Sequence, residues 1–174
     1  MRPPTANSPS EAYQRYGPAL LRKAERILRN PDDAMDIVQC LFVDLISHPS
    51  KSLELPYLYT AVTNRCLNLI RNQANQSRLL ALEQDTLRGP ERTSLGDTVL
   101  SLDLLTRLLT QLDSKSAQIV VYHFLDDQSQ GEVARQLGIS RRAVVKRLTK
   151  IRVLATSLSA VSSGFSAPDS ETQA

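Results

Sequence analysis

No stretch of this 174-residue sequence approaches the roughly 18 uninterrupted apolar residues that a membrane-crossing helix needs. The opening Met1-Arg2-Pro3-Pro4 also lacks the apolar run of a secretory leader, so the expected location is the cytoplasm, without membrane insertion. Cysteine is scarce. Cys40 and Cys66 both sit beside apolar neighbours, which suits small buried hydrophobes in a reducing compartment and argues against a disulfide framework. There is no glycine-rich phosphate loop and no cluster of metal-ligating residues, and His48 and His123 stand alone in sequence. An enzyme reading therefore lacks its usual parts, and neither cofactor nor metal is expected.

What the sequence does have is helical periodicity and clustered positive charge. The length suits two small units joined by a linker, and the net charge of +3 is gathered near the C-terminal end. Tyr13, Tyr16, Leu20, Ala24 and Ile27 recur at three- and four-residue steps, as one face of a helix does. Asn30-Pro31-Asp32-Asp33 then opens a second helix: Asn30 caps it, Pro31 suits its first position, and the carboxylates favour the positive end of its dipole. That helix turns Val38, Leu41, Phe42 and Leu45 inward.

Ser47 to Leu55 reads as a polar loop closed by Pro56. A third helix follows, with Leu58, Ala61, Val62, Cys66, Leu69 and Ile70 on its buried side and Thr60, Thr63, Asn64, Asn68, Arg71 and Asn72 on the other. The polar side carries no acid, which is compatible with an anionic polymer and equally with solvent. Periodicity weakens from Asn75, and Arg88-Gly89-Pro90-Glu91-Arg92-Thr93-Ser94 has the breakers of a linker. Helices resume with Leu105, Leu108, Leu109 and Leu112, then with Ala117, Val120, Val121 and Phe124 after Asp113-Ser114. From about Ser157 the Ser-rich composition predicts a disordered tail.

The most informative stretch runs from Gln128 to Leu148. Ser129 with Glu132 makes a capping box, Ala134 allows close approach of a neighbour, Gly138 supplies a left-handed turn, and Ser140 caps the next helix. Val144 and Leu148 return to the core, which is the spacing of a helix-turn-helix. The second helix then displays Arg141, Arg142, Lys146, Arg147, Lys150 and Arg152 without an intervening acid. Side chains at the start of such a helix reach base edges in the major groove, while others neutralise phosphates.

EVARQLGISRRAVVKRL resembles the fourth conserved region of bacterial sigma factors. The N-terminal half, with Asp33-Ala34-Met35-Asp36-Ile37-Val38-Gln39, Leu41-Phe42, Tyr57-Leu58-Tyr59, Asn64 and Leu69-Ile70-Arg71, resembles the second. Two such regions joined directly are similar to the extracytoplasmic-function class of the sigma-70 family. Cys40 departs from the acid usual after the glutamine, and Tyr57 stands where a Trp is common.

The resemblance implies an all-α fold of two small helical domains joined by a flexible linker: residues 11–74, a linker over 75–100, a helix-turn-helix domain over 101–156, and a tail over 157–174. It implies no catalysis. It implies docking on core RNA polymerase through Asp33, Asp36 and Gln39. It also implies binding of melted minus-ten promoter DNA by the loop residues Ser47, His48, Ser50 and Lys51 and the helix residues Tyr57, Asn64, Arg65 and Arg71. Duplex minus-thirty-five DNA falls to Ser140, Arg141, Arg142, Lys146 and Arg147, and control by an anti-sigma factor is expected. A stand-alone helix-turn-helix regulator shares the C-terminal motif, and the N-terminal half weighs against it.

Overall fold

The computed structural model describes residue 6, residues 8–84 and residues 97–163, with side chains described for residue 6, 8–80 and 104–160. Every regular element among them is helical. Helix α1 (Pro9–Leu28) is capped by the Ser8 hydroxyl, which accepts from Glu11 N at 3.2 Å, and α2 (Pro31–Ser47) by Asn30, which accepts from Asp32 N and Asp33 N at 2.9 and 3.3 Å. Each has a proline in its first turn, where the missing N–H costs nothing. Helix α3 (Leu55–Gln84) packs against both and completes a three-helix unit. Leu20, Val38, Leu41, Leu45, Leu58 and Val62 form its core, and Tyr13 meets Phe42 edge-on at 5.0 Å. Of the face read from residue spacing on α1, Leu20, Ala24 and Ile27 are buried and Tyr16 is half-buried, while Tyr13 is 43 % exposed.

The second unit comprises α4 (Asp97–Gln111), α5 (Ser114–Val120), a π-helical turn (Val121–Leu125), α6 (Gln130–Leu137) and α7 (Arg141–Ser163). Asp113 caps α5 by accepting from Ser116 N at 3.0 Å. The helix-turn-helix, from the start of α6 to the start of α7, follows the expected chemistry atom by atom. Glu132 N donates to Ser129 Oγ at 3.3 Å and Ser129 N to Glu132 Oε2 at 2.8 Å; Gly138 is left-handed at φ 63°; and Ala143 N donates to Ser140 Oγ at 3.2 Å. Open space surrounds the Gly138 Cα, so Gly138→Ala meets only the backbone penalty of its φ. Urea denaturation should find that variant about 1 kcal/mol less stable.

Four expectations change. Cys40 is exposed while Cys66 is buried, because Cys40 lies on the outward side of α2. On α3, Leu67 is buried in place of Leu69, and Thr63, expected on the polar side, is also fully buried, its hydroxyl donating to Tyr59 O at 2.8 Å. Phe124 is 49 % exposed, whereas Tyr122 is fully buried. The π-helical turn, with Asp126 N bonded to Val121 O at 3.0 Å, adds a residue to the turn and shifts the phase of the α5 stripe. Finally, α7 runs on to Ser163, through residues read as the start of the tail. Thr156 and Ser157 satisfy their hydroxyls on carbonyls four residues back, and Leu158 is buried.

The units are docked on each other. Helix α3 packs against α4 and α5, and α1 meets the π-helical turn. Of the segment read as linker, 75–84 continues α3, 97–100 opens α4, and 85–96 lies outside the described residues.

Candidate nucleic-acid interface

The basic face of α7 starts at the helix-turn-helix turn. Ser140, Arg141, Arg142 and Lys146 are exposed, and the three cations form no ion pair among the described residues. Arg147 differs. Its guanidinium reaches back to the cap of α5, 3.0 and 2.8 Å from the two Asp113 carboxylate oxygens and 2.9 Å from Ser116 Oγ. Partial burial pushes the Asp113 carboxyl up, but the Ser116 hydroxyl and N–H together with the Arg147 charge outweigh it and hold the group below its ordinary value. Arg147 therefore ties α7 to α5, and the freely presented cations are at the start of α7.

Around the loop after α2, charge converges on a residue that motif reading passed over. Asp44 accepts from Lys51 Nζ at 2.7 Å and Arg65 NH2 at 2.7 Å, and lies 2.9 Å from His48 Nδ1. The Lys51 hydrogen bond, with the charges of Lys51, Arg65 and His48, keeps its carboxyl below the usual range. An acid in the last turns of a helix opposes the dipole, and that misfit was the available signal for compensating cations. Ser47 Oγ closes the end of α2 on Val43 O at 3.1 Å, while Ser50 is exposed. The structure thus brings His48, Lys51 and Arg65 together on Asp44, which ties the loop to α2 and α2 to α3.

The other α3 positions divide. Tyr57 is 38 % exposed. Asn64 accepts a hydrogen bond from Gln118 of α5, and Arg71 NH2 donates to Leu112 O at 3.2 Å, so both are engaged by the C-terminal unit. On α2, Asp36 and Gln39 are exposed, and Asp33 accepts from Gln73 Nε2 at 3.2 Å. Sequence reading missed the company they keep: Met35, four residues before Gln39, and Val43 and Ile46, after it, lie along the same outward side at helical spacing and are exposed by 37, 63 and 65 %. An exposed aliphatic row among polar residues marks a contact surface.

Family comparison accounts for both units. Residues 12–76 match the model described as Sigma-70 region 2, and residues 102–154 match that described as Sigma-70, region 4. No curated protein matches the chain. Among solved structures it is similar to CnrH in complex with the cytosolic domain of CnrY, at 22% identity and TM-score 0.51, covering 89% of each chain. A second is the sigma factor RpoE in complex with the anti-sigma factor NepR from Bartonella quintana, at 18% identity and TM-score 0.47, covering 87% of this chain and 96% of that one. With both regions matched in order, and folded as a capped three-helix unit followed by a helix-turn-helix, the chain belongs to the sigma-70 family and is a sigma factor of the two-region, extracytoplasmic-function type.

Proposed function

We propose a division of labour within that role. The outward side of α2, with Asp33, Asp36 and Gln39 beside the aliphatic row, docks on core RNA polymerase. The loop from Ser47 to Leu55, braced on Asp44, takes an unstacked base of the melted minus-ten element, with Tyr57, Asn64, Arg65 and Arg71 along the adjoining strand. Unstacking a base costs a few kcal/mol, and a pocket that is already rigid offsets more of that cost than a mobile one. The start of α7 reads duplex minus-thirty-five DNA.

The units that do this are residues 11–74 and 101–156, with 75–100 as the connection. The protein supplies differential binding to duplex and melted DNA, and no side chain of its own performs catalysis. The observation that carries the reading is the helix-turn-helix, whose recognition helix begins with the exposed Arg141 and Arg142. No described helix is long and apolar enough to cross a membrane. Both similar structures are of complexes, one of them with an anti-sigma factor, and a partner of that kind holds this chain inactive.

Transcription in vitro, with purified core polymerase and a promoter library, tests the assignment. The chain should confer initiation at a restricted set of promoters sharing two elements. Sequence-specific DNA binding without any effect of core polymerase would instead mark a stand-alone regulator.

A further inference from the structure

Asp44 stands where a helix least favours an acid. It lies in the last turn of α2, at the negative end of the dipole, and that turn has no basic residue of its own. Groups from beyond the helix meet it instead. Lys51 Nζ from the loop and Arg65 NH2 from α3 both donate to one carboxylate oxygen, Oδ2, each at 2.7 Å, while His48 Nδ1 lies 2.9 Å from the other, Oδ1. One cation would have balanced the charge. Two on a single oxygen overcompensate it, and the surplus is positive.

That surplus is at the surface. The side chains of Lys51 and Arg65 are each 33 % exposed and that of His48 is 57 % exposed, so a nucleotide can reach all three. Arg65 meets Asp44 through NH2, and a guanidinium carries five N–H donors in a planar fork, so it is held by one corner with donors to spare. Lys51 N donates to His48 O at 3.1 Å, closing the turn that brings the lysine back over the end of α2. Without the carboxylate the ammonium and the guanidinium would repel, since both are drawn to the same atom. The Lys51 hydrogen bond holds the Asp44 carboxyl below its ordinary range, so it is ionised at neutral pH.

We infer that Asp44 is a positioning residue for recognition of the melted strand. It aims Arg65 and Lys51 at a nucleotide while cancelling one of their two charges, so the loop discriminates by hydrogen-bond geometry more than by attraction for phosphate. A guanidinium already held in place loses less freedom on making a contact, and a lysine already neutralised displaces fewer counterions from nucleic acid. Selectivity is gained and indiscriminate affinity is given up. The inference rests on the reading of the loop from Ser47 to Leu55 and of Arg65 as DNA-facing.

The test uses the chain assembled with core polymerase, and forked promoter DNA with a single-stranded minus-ten segment, alongside its single-base variants. Asp44→Asn should move affinity and selectivity in opposite directions. Binding to every variant should tighten and its salt slope steepen by about 0.7 for the one charge released, while discrimination among bases falls about fivefold or more. Asp44→Glu, which restores the charge, should return the salt slope to that of the wild type. Should Asp44→Asn fold poorly by circular dichroism, Asp44→Ser carries the same expectation. In an Arg65→Gln background the loss of Asp44 should have little further effect on discrimination, because the side chain it aims is gone. An ion pair that only braces the fold would instead lower affinity, discrimination and thermal stability together. That result overturns the inference, as does unaltered discrimination in Asp44→Asn. Lys51→Gln and Arg65→Gln, with Asp44 in place, check the underlying reading separately. Altered minus-ten binding in either upholds it whatever Asp44 does, and unchanged binding in both removes the loop from the DNA interface.

Discussion

Replacing Val43 and Ile46 together by serine is expected to weaken assembly with core polymerase on the order of a hundredfold while leaving the fold intact. The two side chains are 63 and 65 % exposed, so their truncation leaves the core packing largely as it was. Burial against a partner is worth about 1.5 kcal/mol or more for each aliphatic side chain, and two such losses multiply to that factor. The neighbouring acids act differently. Asp36 is exposed on α2, and a rim charge mainly sets the rate of encounter and its salt dependence. Titration of labelled core polymerase with the variant, alongside its urea denaturation curve, separates the effects. Unchanged polymerase affinity in a normally folded variant would place the docking surface elsewhere.

That aliphatic row shows where sequence reading reached and where it stopped. Cap and turn chemistry was legible because it is local: Asn30, Ser129 with Glu132, Gly138 and Ser140 all act within four residues of themselves, and each does what its type and spacing dictate. The inward stripes of α1 and α2 were legible for the same reason. The exposed positions Val43 and Ile46 were not, since periodicity sorts residues by face and does not say that an apolar residue on the polar side is there for a partner. Phe124 was misread through the π-helical turn, which breaks the 3.6-residue register on which any such sorting relies.

Long-range polar contacts were the least visible. Asp44 gathers Lys51 and Arg65 from 7 and 21 positions away, and no spacing rule links them. Lys23 did leave a trace. A lysine in register with Leu20, Ala24 and Ile27 is out of place on an apolar stripe, and the pattern signals a buried partner without naming Asp126, whose carboxylate it meets. The polar side of α3 was also half legible: its lack of acid suited DNA, yet its partners in the structure include the amide of Gln118 and the carbonyl of Leu112. Groups that hydrogen-bond bases and phosphates bond amides and carbonyls equally well, so composition alone could not distinguish the two.

Arg142→Ala is expected to relax minus-thirty-five sequence preference, whereas Arg147→Ala should chiefly loosen the C-terminal unit. Both residues are arginines on one helix, and the structure separates them by what they already hold. Arg142 is exposed at the start of α7, the end that enters the major groove in a helix-turn-helix, so it is free to reach a base edge. A bidentate arginine contact there carries about 1–3 kcal/mol of discrimination, or roughly a 5- to 150-fold difference between the right base and a wrong one. Arg147 spends its guanidinium on Asp113 and Ser116, and its loss leaves the cap of α5 without that cation. The pair is largely exposed, and such pairs contribute about 0.2–1 kcal/mol, so the variant should show a small drop in stability with base preference preserved. Lys150, further along the exposed side, supplies a contrast: a lysine there that neutralises a phosphate strengthens binding to all sequences alike, so Lys150→Ala lowers affinity evenly and reduces the salt slope by about one unit. Competition binding of the polymerase-bound chain to single-base promoter variants, repeated at several salt concentrations, resolves the three behaviours. If Arg142→Ala weakened every sequence equally and Arg147→Ala alone shifted base preference, the ion pair with Asp113 would have to open on DNA, and the reading position would belong one turn further along α7.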